Sequence, residues 1–308
     1  IMGKLNLGID FSGGRNYIIR FAEPVNTEEV NTALDNVFME AMAASNSDET
    51  FAVNVITIGN ANQVRVSTNY RINDNSETLD DEIEALLYEG CKQFLPENVT
   101  LKEFTSTDIN PEIGIMQSQK VGPAIADDIT QSAVWAVLAA LLGIFLYVLL
   151  RFRNFSFSVG ALAGLAHNTL IVLGAYALLW KVMPFSMEID QSFIAAILTV
   201  IGYSINDTVV IFDRVREYTG LYPKRARKQN INDALNQTLS RTFSTSMSTL
   251  VVLIAIFCFG GETIRGFVFA LIIGVVVGTY SSLCVATPLA YDIQEALDRR
   301  KAKKALKK

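Results

Sequence analysis

The chain is short of the residues that build metal and redox centres. Its three cysteines, Cys91, Cys258 and Cys284, lie far apart with no Cys-x-x-Cys pair, and a lone histidine, His167, excludes a histidine-rich site. No disulfide framework, zinc site or iron centre is expected, and no cofactor. The run Gly8-Ile9-Asp10-Phe11-Ser12-Gly13-Gly14 lacks the Gly-Lys-Ser/Thr ending of a phosphate loop, so it reads as a turn and not as a nucleotide site. Neither a signal peptide nor an apolar span accompanies the start at Ile1-Met2-Gly3-Lys4.

What the chain has in excess is apolar surface. Half of its 308 residues are hydrophobic and 19% are charged, which is too apolar for an ordinary soluble enzyme and too charged to lie wholly in lipid. The charges divide it. Residues 1–132 carry 8 basic and 21 acidic side chains, net −13, whereas 133–308 carry 18 basic and 10 acidic, net +8. The second part holds five apolar runs, at about 133–150, 156–180, 192–212, 243–260 and 266–290, each near the roughly 20 residues that cross a hydrocarbon core about 30 Å thick. These spans, A to E, must be helices, because lipid cannot satisfy open backbone and nothing here alternates like a membrane barrel.

Basic residues collect in the A–B link (Arg151, Arg153), in the C–D link (Arg214, Arg216, Lys224, Arg225, Arg227, Lys228, Arg241) and in the tail from Arg299 to Lys308. The other links hold Lys181 and Arg265. Basic loops mark the cytoplasmic side, so a multi-pass membrane protein is expected, with the acidic domain outside the cell membrane and the C-terminus inside. A domain that starts outside needs delivery, which implies a sixth span or a signal upstream of Ile1.

The acidic part reads strand, helix, strand, strand, helix, strand. Tyr17, Ile19 and Phe21 alternate with more polar neighbours as a half-buried strand requires. Asn26 or Thr27 caps a helix that places Val30, Leu34, Val37 and Phe38 on one face. Phe51 to Ile58 and Gln63 to Ser67 pair around Gly59-Asn60, a helix at about 76–94 buries Ile83, Leu86, Leu87 and Cys91, and Val99 to Phe104 closes the set. The order βαββαβ predicts a ferredoxin-like α+β domain over 1–110. A linker at 111–132, a membrane domain at 133–290 with a cytoplasmic loop at 213–241, and a basic tail at 291–308 complete the expected layout. Within that loop Ile231, Ala234, Leu235 and Leu239 share an apolar face and predict a short helix lying on the membrane surface.

Two spans carry groups that lipid penalises. Asp207 lies more than one helical turn inside span C, where an aspartate costs roughly 2.5–3.5 kcal/mol on insertion scales, so it demands a partner, water or a proton. Asp213 sits beside Arg214 and Arg216 at the interface and needs no such explanation. Span D opens with a hydroxyl-rich stretch in which Arg241, Thr245 and Thr249 recur at helical spacing. Antiparallel packing of C and D would bring Arg241 to the depth of Asp207 as a switchable ion pair, or Arg241 is an anchor that snorkels to the headgroups. Gly160, Gly164 and Asn168 in span B, and Gly274, Gly278 and Ser282 in span E, recur every fourth residue and suit close helix packing. His167 is read either as a proton relay or as a hydrogen-bond donor to a neighbouring helix.

The glycine-rich entry, the runs GYSINDTVVIFDRVRE (Gly202 to Glu217), NQTLSRTFSTS (Asn236 to Ser246) and FGGETIRGF (Phe259 to Phe267), and GVVVGTYSS (Gly274 to Ser282) resemble the SecF family, in the family's order and over nearly the whole chain. The resemblance implies one half of a twelve-span SecD–SecF complex of the resistance-nodulation-division superfamily, with SecD separate or fused upstream. Proton flow would drive its outer domains, which hold a preprotein leaving the SecYEG channel. By position, Asp207 matches the intramembrane aspartate and Arg241 the arginine implicated in proton conduction; Ser204 and Asn206 flank the first, and Thr245 follows the second by one turn. Where the family has His-Asp, this chain has His167-Asn168, which concentrates the titratable work on Asp207 and on acids of the partner half. Expected partners are SecD, SecYEG, preproteins and membrane lipids, with no nucleic acid and no enzymatic activity.

Asp207 is then expected to alternate between a neutral form and a charged form in contact with water or Arg241. One charge crossing the full potential yields about 2.3 kcal/mol per 100 mV, enough to bias a two-state movement, so the outer domain would work by repeated capture and release. A small-molecule or lipid exporter of the same superfamily would need a larger outer domain than roughly 110 residues. An intramembrane aspartyl protease is excluded, because Asp207 and Asp213 stand about 240° apart around one helix and cannot converge on one water. An inert scaffold predicts no effect from Asp207→Asn or Arg241→Met.

Overall fold

The computed structural model describes residues 6–44, 51–74, 76, 78–180, 182–183 and 185–306. Lys181, Lys307 and Lys308, counted above among the basic residues, lie outside them. The chain divides into two compact units, one of Ile1–Ser132 with Trp180–Asp190 and Gly261–Thr263, the other of Ala133–Leu179, Gln191–Gly260 and Ile264–Lys308.

In the first unit a helical turn, α1 (Ile9–Ser12), leads into β1 (Gly14–Arg20), α2 (Thr27–Ala44), β2 (Val53–Thr57), β3 (Gln63–Thr68), α3 (Thr78–Cys91), α4 (Leu101–Thr105) and β4 (Gly114–Val121). The strands form one antiparallel sheet in the order β2-β3-β1-β4, a ferredoxin-like split arrangement. Period-two burial along β1 and β3 turns Tyr17, Ile19, Val64 and Val66 onto Val30, Leu34 and Phe38 of α2 and Leu79, Ile83 and Leu87 of α3. Each such side chain contributes about 1.5–3 kcal/mol when fully buried, which is what the strand and helix patterns exist to deliver. Asn26 is the cap of α2, its side-chain oxygen accepting the Glu28 N–H at 2.9 Å.

The last strand is not where the sequence suggested. Val99 to Phe104, read as a strand, holds α4, because Thr100 and Glu103 form a reciprocal capping box in which the Glu103 carboxylate accepts the Thr100 N–H at 2.7 Å. The fourth strand comes instead from the segment read as linker. β4 has one neighbour, β1, and leaves Gln117 to Lys120 exposed, so its sequence is polar and carries little strand signal. It starts at Gly114, whose φ of 112° and close approach to the Phe104 backbone admit no side chain. The glycine-rich entry is a turn, as expected, with φ of 69° at Gly13 and 141° at Gly14. Residues 185–190 run beside it: Gly8 N–H donates to the Ile189 carbonyl at 2.9 Å, Ile189 N–H to the Asn6 carbonyl at 2.8 Å, and Glu188 pairs with Arg65 of β3 at 3.2 Å.

The second unit is built from α5 (Pro123–Phe152, which begins in the first unit), α6 (Phe155–Leu179), α7 (Gln191–Leu221), α8 (Arg227–Phe259), α9 (Glu262–Ser281) and α10 (Thr287–Ala305). Among the described residues five helical stretches are long and apolar enough to cross a membrane, the last being α9 and α10 together. Between those two lies a π-helical turn, Ser282–Ala286, that the hydropathy pattern does not reveal. Its cause is local: Pro288 has no N–H to return to the Cys284 carbonyl, and the Thr287 hydroxyl donates to the Ser282 carbonyl at 2.8 Å instead.

The helix expected to lie on the membrane surface is the first part of α8, continuous with span D. Part of its apolar face packs on protein: Ala234 is fully buried in one cluster with Ile211, Phe212 and Val215 of α7 and Ala290 of α10, Ile231 and Leu235 are partly buried against it, and Leu239 stays exposed. At this Arg-rich end the Phe157 and Phe212 rings stack at 4.5 Å, and Arg227 pairs with Asp298 at 2.8 Å. That end is therefore a packed core with ion pairs around it.

Candidate functional site

The polar groups of the membrane helices meet along one seam. On α7, Ser204, Asp207, Thr208 and Ile211 fall on the buried face, as spacings of three and four residues require. On α6, Gly160 and Gly164 let the π turn and α10 approach, and the same stripe carries Asn168 to α7, where its side-chain N–H donates to the Ser204 hydroxyl at 2.8 Å. On α9, Gly278 brings the backbone against the same pair: a Cβ there would stand 3.2 Å from Ser204 Oγ and 3.6 Å from Asn168 Nδ2. Ser282, the first residue of the π turn, shares a hydrogen bond with the Thr208 hydroxyl at 2.9 Å and donates to the Gly278 carbonyl at 2.9 Å. Three helices are thus tied at one depth by hydroxyls and an amide, where closely approaching backbones leave room only for small side chains.

Asp207 sits in this seam, 4% exposed. Its Oδ2 has no hydrogen-bond partner among the described residues, nor does Oδ1 of Asn168 or the Thr242 hydroxyl, all three buried. A carboxylate so placed needs a proton, or a rearrangement that brings charge or water to it, because an unpaired buried charge costs several kcal/mol.

The sequence-derived residues separate into two groups. Ser204, Asp207 and Asn168 are brought together. Asn206 is exposed on the opposite face of α7, and Arg241 is exposed on α8, making no ion pair with Asp207 among the described residues. Arg241 lines a cavity of about 320 Å³ with Asp213, Arg214, Glu217 and Gln237. Asp213 there pairs with Arg151 at 2.8 Å and Arg216 at 3.4 Å. Thr245 donates to its own helix, at the Arg241 carbonyl, 2.9 Å away. His167 is half-buried beside the Tyr280 ring, at 6.2 Å, with Nδ1 unpartnered among the described residues.

Four hydroxyls escaped the sequence reading. Thr238, Thr242 and Ser246 form the buried stripe of α8, and Ser246 shares a 2.6 Å hydrogen bond with Thr279 of α9. Thr208 links α7 to Ser282. Their four-residue spacing was present in the sequence, but hydroxyls at 244, 245, 248 and 249 occupy the other faces and hide it.

These features define a multi-span helical membrane protein that carries a separate α+β domain and a buried carboxyl among its helices. The profile of the protein export membrane protein SecD/SecF C-terminal domain matches residues 101–296, and that of the SecD/SecF GG motif matches residues 3–25. The chain is 40% identical to protein translocase subunit SecF of Rhodothermus marinus, over 94% of this chain and 84% of that protein. It is 36% identical to the SecF of Thermodesulfovibrio yellowstonii, over 93% and 83%, and 37% identical to that of Vibrio alginolyticus, over 93% and 79%. The crystal structure of SecDF from Thermus thermophilus, a translocon-associated membrane protein, superposes with a TM-score of 0.74 at 31% identity, covering 96% of this chain. This chain spans 35% of that longer one.

The chain belongs to the SecD/SecF family of protein export membrane proteins. Its role is that of the SecF subunit, a part of the protein translocase that acts with SecD.

Proposed function

We propose that the chain uses the proton motive force to assist late steps of preprotein passage through SecYEG, with Asp207 as the group that exchanges the proton. The observation that carries this reading is the isolation of Asp207, 4% exposed with Oδ2 unpartnered, beside the Ser204–Asn168 bond in the helical seam. Ser204, Thr208, Ser282 and Asn168 are groups that relay or orient a proton donor, and Arg241 is the cation that favours the charged state when α7 and α8 shift. Asn206, Thr245 and His167 stand at the margins of this path. The basic α7–α8 connection and tail support a cytoplasmic C-terminus, and the acidic ferredoxin-like domain then works outside the membrane. The chain is accordingly read as an α+β domain that includes β4, five spans and a basic C-terminal end. No enzymatic step is assigned to the chain.

One proton crossing 100 mV supplies about 2.3 kcal/mol, which moves a two-state equilibrium by roughly fiftyfold and suits repeated capture and release more than a single strong pull. The test is export into inverted membrane vesicles containing the SecD partner. Asp207→Asn should insert and fold normally yet lose the part of translocation that collapses when the proton gradient is dissipated. An Asp207→Asn variant that keeps gradient-dependent export overturns the reading.

A further inference from the structure

In the first unit, β2 is an edge strand whose single neighbour among the described residues is β3. Ile58 N–H donates to the Gln63 carbonyl at 2.9 Å, so in this antiparallel register Ile56 and Asn54 also face β3, and the main-chain groups of Val53, Val55 and Thr57 point to the free side. Beyond that edge lies a cavity of about 480 Å³, walled by Asn54 to Thr57 on one side and by Trp180, Met183, Phe185 and Met187 on the other. Asn6, Thr27 and Ser186 complete the lining, and none of the described lining residues is charged.

We propose that this groove takes an extended, uncharged stretch of an exported polypeptide by strand addition to the free edge of β2. The proposal rests on the export reading above and assigns it a binding site. Three features select the occupant. A free strand edge offers alternating donors and acceptors that an extended backbone satisfies and a lipid tail does not, and it does so whatever the side chains are. The facing wall is methionine and aromatic, adaptable surface that accepts many apolar side chains without specifying one. The described lining is uncharged, which suits a site past which varied sequences must slide. β2 has five residues, roughly 17 Å of strand, so occupancy is short and release is easy. The wall also belongs to the connection between α6 and α7, and α7 carries Asp207. A shift of these helices therefore has a covalent route to one side of the groove.

The test uses the full chain with its SecD partner in inverted vesicles and a secretory precursor halted midway by a folded C-terminal domain. p-Benzoylphenylalanine is introduced at Thr57, at Met183 and, for reference, at Gln119 on the opposite edge strand. The expected result is precursor adducts at the first two positions at least fivefold above the third. Thr57→Pro, which removes one outward N–H and no bond to β3, should cut the Met183 adduct severalfold, and Thr57→Val should not. Equal yields at all three positions, or adducts with lipid, with SecD or with a second copy of this chain in place of the precursor, overturn the proposal. The two readings fail separately. Asp207→Asn blocking gradient-driven export without a Thr57 adduct removes the groove alone, whereas normal export by Asp207→Asn with the adducts intact removes the proton reading alone.

Discussion

Replacing single membrane-helix glycines by alanine grades the packing of the seam, because the space that each new methyl would enter differs from site to site. At Gly174 and Gly202 nothing lies within 4 Å of the added Cβ. Alanine there should gain about 0.5–1 kcal/mol from the helical backbone entropy that glycine forfeits. At Gly278 the methyl meets Ser204 Cβ and Oγ at 3.2 Å, so α7 and α9 must part by a few tenths of an ångström and the gain is cancelled. At Gly160 it meets the Ala286 carbonyl oxygen at 2.6 Å and Ala290 Cβ at 2.8 Å, neither of which can swing aside, and overpacking of this kind costs about 1–3 kcal/mol. Thermal unfolding of the purified complex in detergent should rank Gly202→Ala and Gly174→Ala at or above the parent, Gly278→Ala near it and Gly160→Ala several degrees below. Gly278→Ala should still lose gradient-driven export, since the methyl presses on the Ser204–Asn168 bond. Equal melting temperatures for Gly160→Ala and Gly202→Ala would refute the reasoning.

Burial pushes the Glu188 carboxyl above the usual glutamate range; Arg65 pulls it down, and Asp190 and Asp10 push it further up. A folded value above the unfolded one means that the stabilising contribution is complete below the ordinary value of 4.5 and is lost as pH rises through the raised value. Hydrogen exchange at the Gly8 and Ile189 amides should therefore quicken across that window, and Glu188→Gln should flatten the profile; an unchanged profile in the variant counts against this assignment. Gly114→Ala combines a φ of 112° with a collision against the Phe104 backbone and should cost more than 2 kcal/mol, whereas Gly59→Ala, with a φ of 74° and open space, should cost about 1 kcal/mol; equal melting temperatures would contradict the geometry.

The sequence showed the five spans and the ferredoxin-like order because lipid and a sheet with one buried face impose periodicities that few other constraints mimic. It failed where a local interaction overrode pattern. The Thr100–Glu103 box turned the segment read as a closing strand into α4, and the polar strand Gly114–Val121 had no alternation to announce it. The early part of α8 has the amphipathic face of a membrane-surface helix, but Ala234, Ile231 and Leu235 of that face pack into a protein cluster, and nothing in a single sequence distinguishes a lipid from a protein partner. At the candidate site, Asp207 was legible because an acid inside an apolar span is costly, and Asn168 and Ser204 followed from spacing and resemblance. The hydroxyl stripe of α8 and the π turn were not, since serine and threonine are tolerated on every face of a membrane helix and the proline that breaks the ladder acts four residues upstream.

The most direct measurement is proton entry into vesicles carrying the complex, followed with an internal pH dye while a halted precursor is present. The account predicts that the parent admits protons down an imposed gradient in step with precursor movement and that Asp207→Asn, although folded and inserted, admits none above empty vesicles. Proton entry at the parent rate through Asp207→Asn would contradict it.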